Sequence, residues 1–231
     1  MFANAYDCHP AIEALDNIPC DQIRINYFPY PDNYFECEKF LDSHPEYTHI
    51  LYLAPDVVLE EYDYTCMVKY LIDNPDLQVY GPVCNVDTEK YADRLACCTN
   101  LPTLEYGTRR YNWLSESLRN HLLNQGKKTI QVKFNAGLHW VKRELKDKIK
   151  YTTIPHETDE RPIWEAKGGY ACDLAFSHWL HFLDIPIMVD LRHKLKHLRY
   201  AGPLQVGKKK PNVEFFKYKD NNLELCQCLK A

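Results

Sequence analysis

The sequence lacks any apolar run near the roughly 20 residues that a membrane-spanning helix needs. Its first residues, 1–7, contain neither a positively charged region nor a long apolar segment, so they do not have the pattern of a secretory signal. These two absences predict a protein without a transmembrane segment that is located in the cytoplasm.

A basic excess and zinc-type cysteine spacing are missing as well. The formal net charge of the 231 residues is −4, which gives no electrostatic reason to expect nucleic acid as a partner. The ten cysteines include no C-x-x-C pair, so the sequence predicts no zinc-ribbon site. Because free cysteine is often buried, we expect mainly buried thiols, with structural disulfides as the alternative.

What the sequence does contain is an alternation of strand-like and helix-like segments. The nearly continuous apolar run 48–53 predicts a strand buried on both faces. The spacing of Met67, Val68 and Leu71 predicts a helix that ends near Asn74 and Pro75. With a strand near 2–6, the first 85 residues alternate strand and helix throughout. This order predicts an α/β domain that binds ligands at the carboxyl ends of its strands.

The later part of the chain continues the same pattern. We expect a helix over about 109–125, a strand over 130–134, a lysine-rich helix after Val141, a helix over about 173–183 and a strand over 187–191. The stretch 190–198 has an extended rather than a helical pattern. We therefore predict one domain over residues 1–200, followed by a polar C-terminal loop and tail over 201–231.

Three positions are candidates for chemistry. Asp56 directly follows the buried strand, where a carboxylate can hold a divalent cation that neutralises a diphosphate; a turn or helix-capping aspartate is the alternative. Asp173 follows two glycines at a predicted helix start, where a helix cap is again the alternative. The third candidate is the segment 190–198 after the last strand, in which we interpret His193 as a solvated surface side chain.

Four segments in chain order resemble the GT-A-fold glycosyltransferases of family two. The run 48–58 is similar to the segment that carries their D-x-D motif, and 137–141 is similar to their acceptor-side strand. The stretch 169–173 is similar to the one that carries Glu-Asp and the catalytic base. Residues 184–190, followed by His197, are similar to the closing strand and the metal-binding histidine. The resemblance implies a Rossmann-like, mixed and mainly parallel sheet flanked by helices.

The resemblance also implies a function and a set of site residues. The expected activity is metal-assisted transfer of a sugar from a UDP- or GDP-sugar to a hydroxyl of a carbohydrate, glycoprotein or glycolipid acceptor. Asp56 and His197 would hold Mn²⁺ or Mg²⁺, and Asp173 would be the catalytic base. The donor would be bound by residues from several strand ends: Ala5, Tyr6, Asp7, Asp32, Pro55 and Asp56.

Two positions depart from the family pattern. Ala54 stands where the first aspartate of D-x-D is usual, and Cys172 stands where glutamate often precedes the catalytic aspartate. These departures leave a non-catalytic nucleotide- or sugar-binding relative of the same fold as one alternative. A nucleotidyltransferase is the other, although residues 7–10 do not supply the glycine-rich, basic loop that such an enzyme favours after its first strand.

Overall fold

A computed structural model describes residues 9–26, 32–54, 56–85, 93–102, 112–136, 138–155, 159–162, 171–198 and 210–218. The helices in these ranges are α1 (His9–Asp16), α2 (Asp32–Ser43), α3 (Glu61–Asp73), α4 (Glu116–Asn124) and α5 (Ala171–Phe182). The strands are β1 (Gln22–Asn26), β2 (His49–Leu53), β3 (Val57–Val58), β4 (Val79–Cys84), β5 (Arg94–Cys98), β6 (Trp113–Ser115), β7 (Thr129–Val132), β8 (Phe134–Asn135), β9 (Leu138–Lys142), β10 (Thr153–Pro155), β11 (Glu160–Pro162), β12 (Ile187–His197) and β13 (Asn212–Phe216).

The central sheet is mixed, and helices flank it. Its strand order is β2-β9-β4-β12-β3, with β7 also paired to β12. β9 runs antiparallel to both β2 and β4, and β3 and β7 run antiparallel to β12. Among the described strands of this sheet, parallel pairing occurs only between β4 and β12. The α/β class is therefore confirmed, but parallel pairing is less extensive than the mainly parallel sheet that we expected, because β9 is inserted between β2 and β4.

The sheet separates two hydrophobic cores. Every residue of β4 is buried, and its side chains alternate between the two faces because successive side chains of a strand point in opposite directions. Val79 and Val83 belong to the core that α2 and α5 cover, whereas Tyr80 and Cys84 belong to the core that α1 and α3 cover. A strand enclosed in this way needs the continuous apolar character that β2 and β4 show.

The strongest sequence patterns are confirmed. The strand predicted over 48–53 is β2, and the helix predicted around Met67, Val68 and Leu71 is α3, which buries all three side chains. α3 ends at Asp73, and the N–H of the next residue, Asn74, donates to the carbonyl of Leu71 at 3.2 Å. The extended pattern over 190–198 is also confirmed, since β12 continues to His197.

Three predicted elements are wrong in extent or type. The helix expected from about residue 109 begins at Glu116, because the Ser115 hydroxyl caps it by accepting the Leu118 N–H at 3.1 Å, and 113–115 form β6. The lysine-rich helix is only a 3-10 turn, Arg143–Leu145. The predicted loop and tail over 201–231 includes β13, which pairs along its whole length with β1.

A buried carboxylate anchors β12 near its middle. Asp190 is fully buried and accepts hydrogen bonds from the Tyr80 hydroxyl, from Arg192 Nε at 3.0 Å and Nη2 at 2.6 Å, and from the Arg192 backbone N–H at 2.8 Å. Burial alone would raise the pKa of Asp190, but these hydrogen bonds outweigh it and hold the pKa below its ordinary value. The network ties β12 to β4 through Tyr80.

We expect Asp190→Ala to lower the free energy of unfolding by about 3 kcal/mol, because it leaves Arg192 and Tyr80 without their carboxylate partner. Lys196→Ala, which removes an exposed side chain from the same strand, is the matched control and should change stability by less than about 0.5 kcal/mol. Urea unfolding of both variants measures the difference. Equal stabilities of Asp190→Ala and the control would contradict the anchoring role of Asp190.

A histidine lies inside the core beneath α5. The His139 side chain of β9 is 1% exposed, and its ring stacks on Phe176 at 4.2 Å between centroids. Neither ring nitrogen has a hydrogen-bond partner in the part of the chain that the structure describes. Burial therefore lowers the pKa of His139 to about 3, and the imidazole is neutral in the folded protein.

This neutral imidazole predicts acid sensitivity. Between pH 6.5, the ordinary pKa of histidine, and about 3, the unfolded chain binds a proton that the folded protein does not. The free energy of unfolding therefore falls as pH is lowered through this window. From pH 7 to pH 5 we expect wild type to lose about 2 kcal/mol more than His139→Phe, which keeps an aromatic ring and cannot titrate. Urea unfolding at both pH values tests this, and identical acid dependence of the two proteins would refute it.

Candidate functional site

Backbone pairing brings together two residues that are far apart in the sequence. β3 starts directly after Asp56 and pairs antiparallel with the end of β12, with Val57 opposite His197. The Leu198 N–H also donates to the Asp56 carbonyl at 2.8 Å. Because these bonds fix both main chains, the side chains of Asp56 and His197 face each other at one edge of the central sheet.

The two side chains are in direct contact. His197 Nε2 lies 3.2 Å from Asp56 Oδ2, and the side chains are 21% and 15% exposed. His197 Nδ1 lies 3.4 Å from the backbone carbonyl of Asn85, which can only accept, so Nδ1 carries the proton of that contact. Burial alone would lower the pKa of His197, but the hydrogen bond and charge of Asp56, together with the Asn85 carbonyl, raise it above its ordinary value.

The Asp56 carboxylate and the His197 imidazole are close enough to serve as two ligands of one divalent cation. A carboxylate oxygen suits both Mn²⁺ and Mg²⁺, whereas an imidazole nitrogen is a ligand that the harder Mg²⁺ takes less readily. A backbone carbonyl that holds the second ring nitrogen of a histidine is the usual support of a metal-binding imidazole. Among the described residues, no three His, Cys, Asp or Glu side chains form a metal-binding group. In this part of the chain Asp56 and His197 offer two ligands, so any bound cation would need further ligands from elsewhere.

Asp173 lies in the first turn of α5, as its third residue, and is half-buried. The Tyr34 hydroxyl donates to its Oδ1 at 3.4 Å. Burial, followed by the charges of Asp56 and Asp173, raises the pKa of Cys84 to about 12. Both carboxylates therefore act electrostatically on this one thiol at the end of β4. A helix-capping residue would stand just before α5, whereas Asp173 lies within it. The alternative of a simple helix cap is therefore wrong.

The structure describes two of the six predicted donor-binding residues, Asp32 and Asp56. Ala5, Tyr6, Asp7 and Pro55 lie outside the described residues. Asp32 is the exposed first residue of α2. Its neighbour Asn33 is fully buried, and neither polar atom of its side chain has a hydrogen-bond partner within the described ranges.

Two residues that contact the candidate side chains were missed by the sequence analysis. Asn85 directly follows β4, and Asp56 comes three residues after the end of β2. The position of Asn85 after a buried strand could therefore have identified it as a candidate site residue. Tyr34 gave no such signal, because its contact with Asp173 joins two helices that are distant in the sequence. The interpretation of His193 as a solvated side chain is wrong: it is 6% exposed and its Nδ1 lies 2.7 Å from Asp63 Oδ1 on α3.

Comparisons with known proteins do not assign the chain to a family. No family model matches the chain, and no curated protein matches its sequence. Among solved structures, the chain is similar to A197 from STIV, with a TM-score of 0.45 and 14% sequence identity, over 95% of this chain and 84% of that chain. Similarity at this level establishes neither a shared fold nor a shared function. In the described part of the chain, no helix has the length and apolar character needed to cross a membrane.

Proposed function

We propose that the chain is a metal-assisted glycosyltransferase of the GT-A type that uses a nucleotide-sugar donor, with UDP and GDP as the first nucleotides to test. The observation that carries this proposal is the contact between Asp56 and His197 across β3 and β12, at 3.2 Å between carboxylate and imidazole. The two residues belong to different segments of the resemblance, and their meeting at the edge of one sheet is what a shared metal requires.

The positions of the other segments support the proposal. Residues 48–58 include β2 and β3, 138–141 lie in β9, and 187–197 form β12, all strands of the central sheet. Residues 171–173 open α5, which covers one face of that sheet through Phe176 and its neighbours in the core. The segments that resemble the family are therefore neighbours in space as well as in order.

The proposed mechanism assigns one task to each group. Asp56 and His197 would hold Mn²⁺ or Mg²⁺, which when bound supplies positive charge for the leaving diphosphate. Asp173 accepts the proton of the acceptor hydroxyl as that oxygen attacks the anomeric carbon. Asp32 contacts the nucleoside, together with Ala5, Tyr6, Asp7 and Pro55. The acceptor is a carbohydrate, glycoprotein or glycolipid, and we propose a cytoplasmic location without nucleic acid as a partner.

One observation favours a second candidate, a non-catalytic nucleotide-sugar-binding protein of the same fold. Cys172 stands where many family members carry glutamate; its thiol is buried, and burial together with Asp173 raises its pKa to about 12. A neutral thiol cannot replace the charge of a glutamate at neutral pH. Donor binding without turnover would identify this alternative.

The donor site predicts metal-linked binding of a nucleotide. UDP or GDP should raise the melting temperature more with Mn²⁺ than without it, because binding to the folded state alone stabilises by about 2.7 kcal/mol at a hundredfold excess over the Kd. Asp56→Asn and His197→Ala should each remove the Mn²⁺-dependent part. His121→Ala, which changes an exposed histidine on α4, is the control and should keep it. The proposal fails if UDP, GDP and ADP all give no metal-dependent shift in wild type.

The proposed base predicts a separation of binding from chemistry. Asp173→Asn keeps the size of the side chain but cannot accept the proton, so transfer should fall by roughly 10²–10⁴-fold while Mn²⁺-dependent donor binding survives. Asp184→Asn, an exposed carboxylate after the other end of α5, is the matched control and should retain wild-type turnover. Release of nucleoside diphosphate from the donor measures turnover. Unchanged turnover per folded molecule of Asp173→Asn would remove Asp173 from the mechanism.

A further inference from the structure

A tyrosine of α2 reaches across the core to the carboxylate of α5. Tyr34 is 4% exposed, and its hydroxyl donates a hydrogen bond to Asp173 Oδ1 at 3.4 Å. This contact joins the helix that starts at Asp32, on the proposed donor side, to the helix that carries the proposed base. A tyrosine hydroxyl in this position has a specific partner as well as a packing role.

Neighbouring aromatic rings fix the position of the Tyr34 ring. It stacks on Tyr151 at 4.0 Å between centroids with an interplanar angle of 18°, and it lies 5.4 Å from the ring of Tyr52. Tyr151 in turn stacks on Phe176 of α5 at 6.0 Å. Because aromatic pairs at these separations restrict one another, the packing of the Tyr34 ring limits the positions of its hydroxyl, which contacts Asp173.

We propose that Tyr34 is a positioning residue for Asp173, an inference that rests on the proposed function. The Tyr34 hydrogen bond restricts rotation of the Asp173 carboxyl group and favours its charged form, which is the form that can accept a proton. Tyr34 itself touches no reacting atom in this scheme and acts through Asp173.

Among the described residues, two thiols interact electrostatically with Asp173, and neither titrates in the range of a carboxyl group. The thiols of Cys84 on β4 and Cys172 on α5 both lie within reach of the Asp173 charge, and their pKa values are raised to about 12. They stay neutral in the range where a carboxyl group titrates. The carboxylate of Asp56 acts on the same Cys84 thiol and is unchanged by a substitution at Tyr34.

The test is a carboxyl titration of ¹³C-labelled protein by NMR, with the Asp173 signal assigned by its loss in Asp173→Asn. Tyr34→Phe keeps the stacked ring and removes the donor, so the Asp173 titration should move to higher pH by about half a unit or more. Tyr151→Phe removes a hydroxyl from the same aromatic group and should leave the titration in place. In turnover, Tyr34→Phe should lower kcat about tenfold, keep KM for the donor within about twofold and shift the acid limb of the kcat profile upward.

A second substitution tests the opposite direction. Site-specific 3-fluorotyrosine at position 34 is a stronger donor with nearly the same ring, and it should move the Asp173 titration to lower pH. An unchanged titration in both Tyr34 proteins overturns the inference, as does wild-type kcat in Tyr34→Phe. Absence of any turnover in wild type is a failure of the proposed function instead, and the NMR titration still decides whether Tyr34 controls Asp173.

Discussion

The short pairing of β3 with the end of β12 is the contact on which the candidate site depends. It places Asp56 opposite His197, and the Leu198–Asp56 backbone hydrogen bond closes the same pair of strands. β12 can serve as the support because β4 and β7 both pair with residues 187–190 and because Asp190 binds Arg192 and Tyr80 in the core. A site built on paired strands holds its side chains more firmly than one built on loops.

The fold could be predicted where one local pattern outweighed all others. The apolar run that becomes β2 is too short for a typical helix, and the apolar residues of α3 recur at helical spacing, so each pattern favours one type of element. The start of α4 could not be placed, since a single hydroxyl, that of Ser115, decides it. The position of β9 between β2 and β4 could not be predicted either, because it depends on pairing between residues that are far apart in the sequence.

The candidate site shows the same division. Asp56 could be proposed because a residue just after a buried strand lies at the carboxyl end of that strand, where α/β sheets bind ligands. The contact with His197 then depends on the extension of β12 to that residue. His193 was misinterpreted because its partner, Asp63, lies on α3, a helix with no sequence relation to β12. Tyr34 could not be found at all, since its partner depends on how α2 and α5 pack across the core.

The pairing of β1 with β13 has a consequence for how the chain is made. β1 ends at Asn26, and its partner in the described part of the chain begins at Asn212, roughly 190 residues later. At about 5–20 residues per second, a ribosome needs roughly 10–40 s to cover that interval. During this interval β1 has no β13 to pair with, although Ile23 and Ile25 are buried in the folded protein. Their apolar side chains are then accessible to chaperones.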